Sequence, residues 1–256
     1  MYNAAVDGIT VKTCSVCGGT GWVHVFREGL DGVVRCDCVK ASRVDRLFKN
    51  ARIPQRYAHC ELDNFELRPP HTTQKLQLAK IAAEKFVAEY PTSQPFGLLF
   101  MGPQGIGKTH LAVGIIKTLM RNKSVECLFR TFPELLKEIQ NSYNPISQTS
   151  EVSLLSPVLE TEVLVLDELG AQNPSTWVRD TVAYILNYRY NENKVTILTT
   201  NYQDEYEGRE EKKEPKPDTL SQRIDERIRS RLFEMCKTIP MDGNDFRKEI
   251  KQVHYL

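Results

Sequence analysis

Eight consecutive residues, Gly102-Pro103-Gln104-Gly105-Ile106-Gly107-Lys108-Thr109, limit what this chain can fold into more than any other feature. They satisfy the phosphate-loop pattern G-x-x-x-x-G-K-[ST] at every position. The apolar run Gly97–Met101 precedes them, and an amphipathic stretch, Lys108–Asn122, follows. A buried strand, a glycine turn and a helix, in that order, let backbone N–H groups face inward around phosphate oxygens. The start of the helix adds partial positive charge at the same place. Lys108 is placed to reach the β- and γ-phosphates, and the Thr109 hydroxyl to ligate Mg²⁺. The expected nucleotide-binding residues are Gly102 through Thr109, with His110 behind them on the first helical turn. The competing readings are a chance glycine-rich turn and a loop that binds nucleotide without hydrolysing it.

Downstream, strand-like and helix-like segments alternate. Val125–Thr131, Val163–Asp167, Val195–Thr200 and Lys237–Met241 read as strands. Pro133–Ser142, Val152–Glu160, Trp177–Asn191 and Ser221–Phe233 read as helices, and Thr72–Glu89 as a helix ahead of the first strand. Continuous apolar strands separated by helices predict an α/β fold, a mainly parallel sheet covered on both faces as a three-layer sandwich. The charged, proline-containing Glu205–Pro217 reads as a mobile surface loop. Three units are expected: a cysteine-rich module at 1–40, a basic helical linker at 41–60 and the α/β domain at 61–256.

The strand Val163–Leu166 delivers Asp167 and Glu168 to its carboxyl end, where open α/β sheets bind ligands. Asp167 is read as holding Mg²⁺, directly or through water, and Glu168 as polarising the attacking water. Asn201 ends the next apolar strand in Thr199-Thr200-Asn201, placed to lie between the γ-phosphate and Glu168. The plainer reading of the acid pair is a cap on the following turn.

These motifs together resemble the AAA+ ATPases, more narrowly the DnaC/DnaI helicase-loader and IstB-like branch. The resemblance rests on the phosphate loop followed by His110-Leu111-Ala112, on Asp167-Glu168-Leu169-Gly170 and on Thr199-Thr200-Asn201. Ile53-Pro54-Gln55-Arg56-Tyr57 and Leu62-Asp63-Asn64-Phe65 look like the lead-in to that domain, and Glu226-Arg227-Ile228-Arg229-Ser230-Arg231-Leu232 like its arginine box. It covers residue 50 to the end. It implies that Arg231 is an arginine finger acting on a neighbouring subunit's ATP, with Arg227 four residues earlier on the same helical face. The alternative is that these arginines pair with Asp225 and Glu226. Two departures stand out: too few residues follow Met241 for a helical lid, leaving Arg247 as the nearby candidate for a second sensor, and the adenine pocket is placed near Leu62–Phe65 by resemblance alone.

Cys14-x-x-Cys17 and Cys36-x-Cys38 supply four thiols in two close pairs, a set suited to tetrahedral Zn²⁺. Gly18, Gly19 and Gly21 allow a knuckle turn beside the first pair, and Val23, Val25, Val33 and Val34 suggest two short strands between the pairs. A unit this small buries little core, so a metal would stabilise it. An iron–sulfur cluster or a redox dithiol are the alternatives. Cys60, Cys127 and Cys236 read as ordinary thiols.

The cofactors expected are therefore ATP, Mg²⁺ and Zn²⁺. A formal charge of +1 names no partner, but from Lys40 to Arg56 six bases, Lys40, Arg43, Arg46, Lys49, Arg52 and Arg56, stand against one acid, Asp45, either a solvated face or a contact for nucleic-acid phosphates. No apolar run spans a bilayer and the N-terminus lacks a secretory pattern, so a cytoplasmic protein without membrane contact is expected. By resemblance, the chain is a replicative-helicase loader that self-associates through an ATP-bridged interface and holds single-stranded DNA, with 1–40 docking the replicative helicase and 144–160 near the DNA. The alternatives are an IstB-like transposition helper and a zinc-stabilised interaction module on a non-hydrolysing nucleotide scaffold.

Overall fold

The computed structural model describes residues 14–27, 30–67, 72–91, 97–144, 150–204 and 218–249; the loop expected at Glu205–Pro217 lies outside them. The chain forms two compact units, residues 1–46 and 47–256. No helix among the described residues is long and apolar enough to cross a membrane.

In the first unit, β1 (Trp22–Arg27) and β2 (Leu30–Arg35) pair antiparallel, and helix α1 (Asp37–Asn50) starts at once after them. Trp22, His24 and Phe26 stand opposite Arg35, Val33 and Asp31, so the alternation of a pleated ribbon puts all six on one face. That face is exposed, with Phe26 at 75% and Val33 at 56%.

The second unit holds α2 (Gln74–Glu89), β3 (Gly97–Met101), α3 (Lys108–Lys123), β4 (Cys127–Thr131), α4 (Phe132–Ser142), α5 (Glu151–Glu160), β5 (Val163–Asp167), α6 (Thr176–Asn191), β6 (Val195–Thr200), α7 (Leu220–Ile224), α8 (Glu226–Met235), β7 (Cys236–Pro240) and the short α9 (Phe246–Glu249). The strands form one sheet in the order β4-β5-β6-β3-β7, and every pairing is parallel. Both faces are covered, because alternate residues of each strand feed two separate cores. Leu98, Phe100, Val163 and Val165 pack with α2 and α3. Leu99, Met101, Leu164 and Leu166 pack with α4, α5, α6, α7 and α8. Each such side chain contributes about 1.5–3 kcal/mol when fully buried, and Leu99, Phe100, Leu164 and Leu166 are wholly buried. The α/β three-layer sandwich follows from that double burial.

One expectation is corrected. Ser221–Phe233 is not one helix, because Asp225 takes a positive φ of 89° and ends α7. Its side chain then accepts from the Arg227 N–H and caps α8.

Candidate active site

The sheet order positions the site. β6 lies between β3, which leads into the phosphate loop, and β5, which ends in Asp167. A residue at the carboxyl end of β6 therefore sits between the two motifs.

Gly107, at φ 95°, turns the chain into α3, and a Cβ there would lie 2.5 Å from the Phe65 ring. Only glycine lets the loop pass under that ring. Lys108 follows, almost fully buried, and its Nζ donates to the carbonyls of Gly102 (2.8 Å) and Pro103 (2.5 Å). Burial lowers its pKa to about 8, with Asp167 pulling the other way. Thr109 Oγ1 donates to Asp167 Oδ1 at 2.8 Å.

Asp167 has no exposed surface. Its Oδ1 also accepts from Thr199 Oγ1 at 2.6 Å, while its buried Oδ2 has no hydrogen-bond partner among the described residues. Burial raises its pKa, although both hydroxyls favour the charged form. An orphaned carboxylate oxygen beside a threonine hydroxyl is a donor set that suits Mg²⁺. Glu168 is exposed, with φ 61°, and its N–H donates to Thr199 Oγ1 at 3.0 Å. Thr199 thus serves the carboxylate and the turn together. The sequence points to Asn201 and gives Thr199 no role, although the alternation of β6, which turns Thr199 away from Leu198, signals one.

A cleft of about 640 Å³ opens at this edge, lined by the phosphate loop, Glu168, Thr199, Asn201, the lead-in segment from Arg56 to Glu66 and the chain from Asn244 to Arg247. This volume suits a nucleotide-sized ligand. Tyr57, not anticipated as a site residue, brings its phenol beside Thr109 and Asp167; burial first, then the Asp167 charge, raises its pKa. The lead-in segment is riveted to α3. Buried Lys117 donates to Ala58 O (2.8 Å) and Cys60 O (3.0 Å) and pairs with Glu61 at 2.5 Å. Arg121 reaches the same carboxylate at 3.1 and 3.3 Å. Burial works to raise the Glu61 pKa, but the two cations win and it is lowered.

His110 Nε2 lies 2.8 Å from Glu61 O and 2.9 Å from Asn64 Oδ1. Both are acceptors, so this nitrogen carries the proton. His59, Cys60 and His110 bring ligand atoms within 4.8 Å of one another; with Nε2 carrying the proton, His110 keeps a lone pair only at Nδ1. His110 lines the cleft and stacks edge-on against Phe65 at 5.4 Å, bracing the lead-in segment. Leu62 is buried in the core, while Asn64 and Phe65 face the cleft. Arg247 lines it too, and the Phe246 N–H donates to Gly105 O at 3.1 Å.

The arginine run is not in this cleft. Exposed Arg231 donates to Asn187 Oδ1 and lies 5.9 Å from the Tyr190 ring centroid. Arg229 is buried, bidentate on Asp204 at 2.6 Å for both contacts. Arg227 is exposed on the first turn of α8.

In the first unit the four expected cysteines converge. Cys14 and Cys36 sulfurs lie 3.8 Å apart, and those of Cys17 and Cys38 3.4 Å apart. All four lie within 4.8 Å of one another. A tetrahedron of thiolates at ~2.3 Å from a zinc ion has edges of about 3.8 Å. The Gly21 N–H donates to Cys17 Sγ at 3.3 Å, and this bond is the main cause that lowers the Cys17 pKa to about 6.

The sequence profile of the IstB-like ATP binding proteins matches residues 25–253. The phage-like element PBSX protein XkdC of Bacillus subtilis is 25% identical over 231 residues, 87% of this chain and 79% of that protein. The replicative helicase loader DnaC of Escherichia coli is 27% identical over 163 residues, 63% of each chain, so this chain spans less than two thirds of that relative. The crystal structure of the DnaC helicase loader aligns at a TM-score of 0.61 and 28% identity, over 74% of this chain and 100% of that one.

Proposed function

This chain belongs to the IstB-like ATP-binding proteins of the AAA+ class, and from that premise we propose that it hydrolyses ATP as a helicase-loader-type protein of DNA replication. The observation that carries the reading is the convergence of Lys108, Thr109, Asp167, Glu168 and Asn201 on one cleft or its floor. Lys108 leaves the carbonyls of Gly102 and Pro103 for the β- and γ-phosphates, exchanging neutral acceptors for charged ones. Mg²⁺, held by Thr109 and Asp167, would neutralise charge on the phosphates. Glu168 takes the proton of the attacking water, and Asn201 orients that water against the γ-phosphate. Arg231, exposed on α8, serves the ATP of a neighbouring copy, and Arg227 lies one turn away on the same face. The similarity to DnaC supports a replicative helicase as the partner; single-stranded DNA as the effector and the cytoplasm as the location are part of the same proposal.

We assign 1–40 to a zinc module, 41–60 to a basic linker and 61–256 to the ATPase domain. Trp22, Phe26 and Val33 on the exposed ribbon face supply the apolar patch that docks the protein partner. Purified protein is expected to carry about one zinc per chain, and stripping it with a strong chelator to unfold the first unit while the second keeps its thermal transition. Metal-free protein with an intact ribbon, by trace-element analysis and NMR, would count against the module.

The test of the function is steady-state ATP hydrolysis with and without single-stranded DNA, beside Glu168→Gln. Turnover should rise with DNA and fall about 10²–10⁴-fold in the variant. Bound ATP without turnover under any condition would favour the inert scaffold. The family itself keeps a transposition helper as a second reading. Co-purification with a transposase rather than a hexameric helicase would select it.

A further inference from the structure

Glu168 is a non-glycine residue in the left-handed region, at φ 61°, a strained conformation that persists only where its surroundings hold it. The N–H side of its turn is held by β6. Thr199 Oγ1 accepts from the Glu168 N–H (3.0 Å), Thr199 O from the Leu169 N–H (2.8 Å), and Thr200 Oγ1 donates to Leu169 O (2.8 Å). The carbonyl side is held from another element. Arg223 on α7 donates from Nε to Gly170 O at 2.8 Å and from Nη2 to Gln172 O at 2.7 Å, with Ala171 O at 3.4 Å. Its Nη1 pairs with Asp218 at 3.0 Å, and its guanidinium lies 4.8 Å from the Tyr202 ring centroid.

We infer that Arg223 is a positioning residue for Glu168, acting through the carbonyls of the 170–172 turn. The inference rests on the ATPase reading and names no contact between Arg223 and substrate. The chemistry fits arginine in particular. A rigid planar fork spreads its donors over three nitrogens and can bridge carbonyls strung along a tight turn, whereas an ammonium group gathers its three donors at a single point. The packing fits too. Gly170 sits at φ 84°, and a Cβ there would be 3.2 Å from both the Arg223 Cβ and the Tyr202 ring, so the turn is pressed onto this side chain. Helix α7 has only five residues and is closed at its start by a reciprocal Thr219–Gln222 capping box, which fixes the place from which Arg223 reaches. Without the clamp, the turn keeps its β6 bonds but loses its far side, and the Glu168 carboxylate no longer has one direction.

The test compares Arg223→Gln and Arg223→Lys with the full-length wild type by three readouts: kcat, affinity for a fluorescent ATP analogue, and hydrogen exchange of the peptide spanning 168–172. Arg223→Gln should lower kcat about 10–100-fold and leave affinity within about threefold. Exchange at Leu169 and Ala171 should speed up while β3 and α3 stay protected. Arg223→Lys, which keeps the charge and part of the carbonyl bonding but not the fork, should recover part of kcat. Wild-type turnover in Arg223→Gln overturns the inference, and so does an equal loss of affinity and kcat. If the wild type proves unable to hydrolyse ATP, the ATPase reading falls by itself, and exchange alone then decides: unchanged protection of 168–172 in a folded variant removes the clamp. Should Arg223→Gln fail to fold, the same readouts on Arg223→Lys decide.

Discussion

Lys108→Ala is expected to weaken ATP binding at least about 100-fold, since two charge-assisted hydrogen bonds to phosphate are lost at about 1.5–3 kcal/mol each. The wild type should also carry a pH signature. In the nucleotide-free state Lys108 is buried and titrates near pH 8, against 10.5 for a free lysine. Bound phosphate charge raises that pKa, so binding takes up a proton above pH 8. Affinity should then fall about tenfold per pH unit from pH 8 upward, a dependence missing from Lys108→Ala. The folded-state pKa is lowered, so between about pH 8 and 10.5 the unfolded chain holds more protons than the folded one. The stability contributed by this group therefore rises with pH across that window, and it disfavours folding at neutral pH. The alanine variant should accordingly melt no lower than wild type at pH 7. Isothermal titration over pH 7–10, with melting curves beside it, checks both. Equal affinities for the two proteins would move the site elsewhere.

The second large effect is on stability. Arg189 has no exposed surface, and no carboxylate hydrogen-bonds it among the described residues. Its Nη1 donates to the carbonyls of Val158, Leu159 and Thr161 at 2.9, 3.1 and 3.0 Å, its Nη2 to Val195 O at 2.6 Å, and its Nε to Thr196 Oγ1 at 2.9 Å. One side chain on α6 thus closes the carbonyl end of α5 and the start of β6. Its charge is balanced by carbonyl dipoles, including those at the negative end of a helix. Burial lowers its pKa to about 10, and it stays protonated at neutral pH. Arg189→Met keeps most of the volume and leaves four carbonyls buried without this partner. Each orphaned group costs about 1–3 kcal/mol, so denaturant unfolding should show a loss of more than about 3 kcal/mol. A loss under about 1 kcal/mol would mean that water replaces the guanidinium without penalty.

Much of this architecture is legible from the chain. Val163–Asp167 and Val195–Thr200 are continuous apolar runs because both sheet faces are buried, and the run bounds the strand. The phosphate loop is legible because its glycines, lysine and threonine act within one turn. What stays hidden depends on partners far along the chain. Leu220, Ile224, Ile228 and Leu232 are all buried and keep helical spacing straight through Asp225, so periodicity could not show the break. Arg189 and Arg223 look like any surface arginine until the carbonyls they close are brought to them. Arg229 belongs to the run whose alternative reading pairs its arginines with Asp225 and Glu226, yet it takes Asp204, 25 residues away.

The sheet's two outer strands bear on how copies of this protein can meet. β4 and β7 have five residues each, and β7 carries Lys237 and ends in Pro240, which has no N–H to donate. Short strands marked by charge and proline are poor templates for further strand pairing. Any contact between copies is thus steered to side chains and away from backbone ladders that would lock the copies into an aggregate.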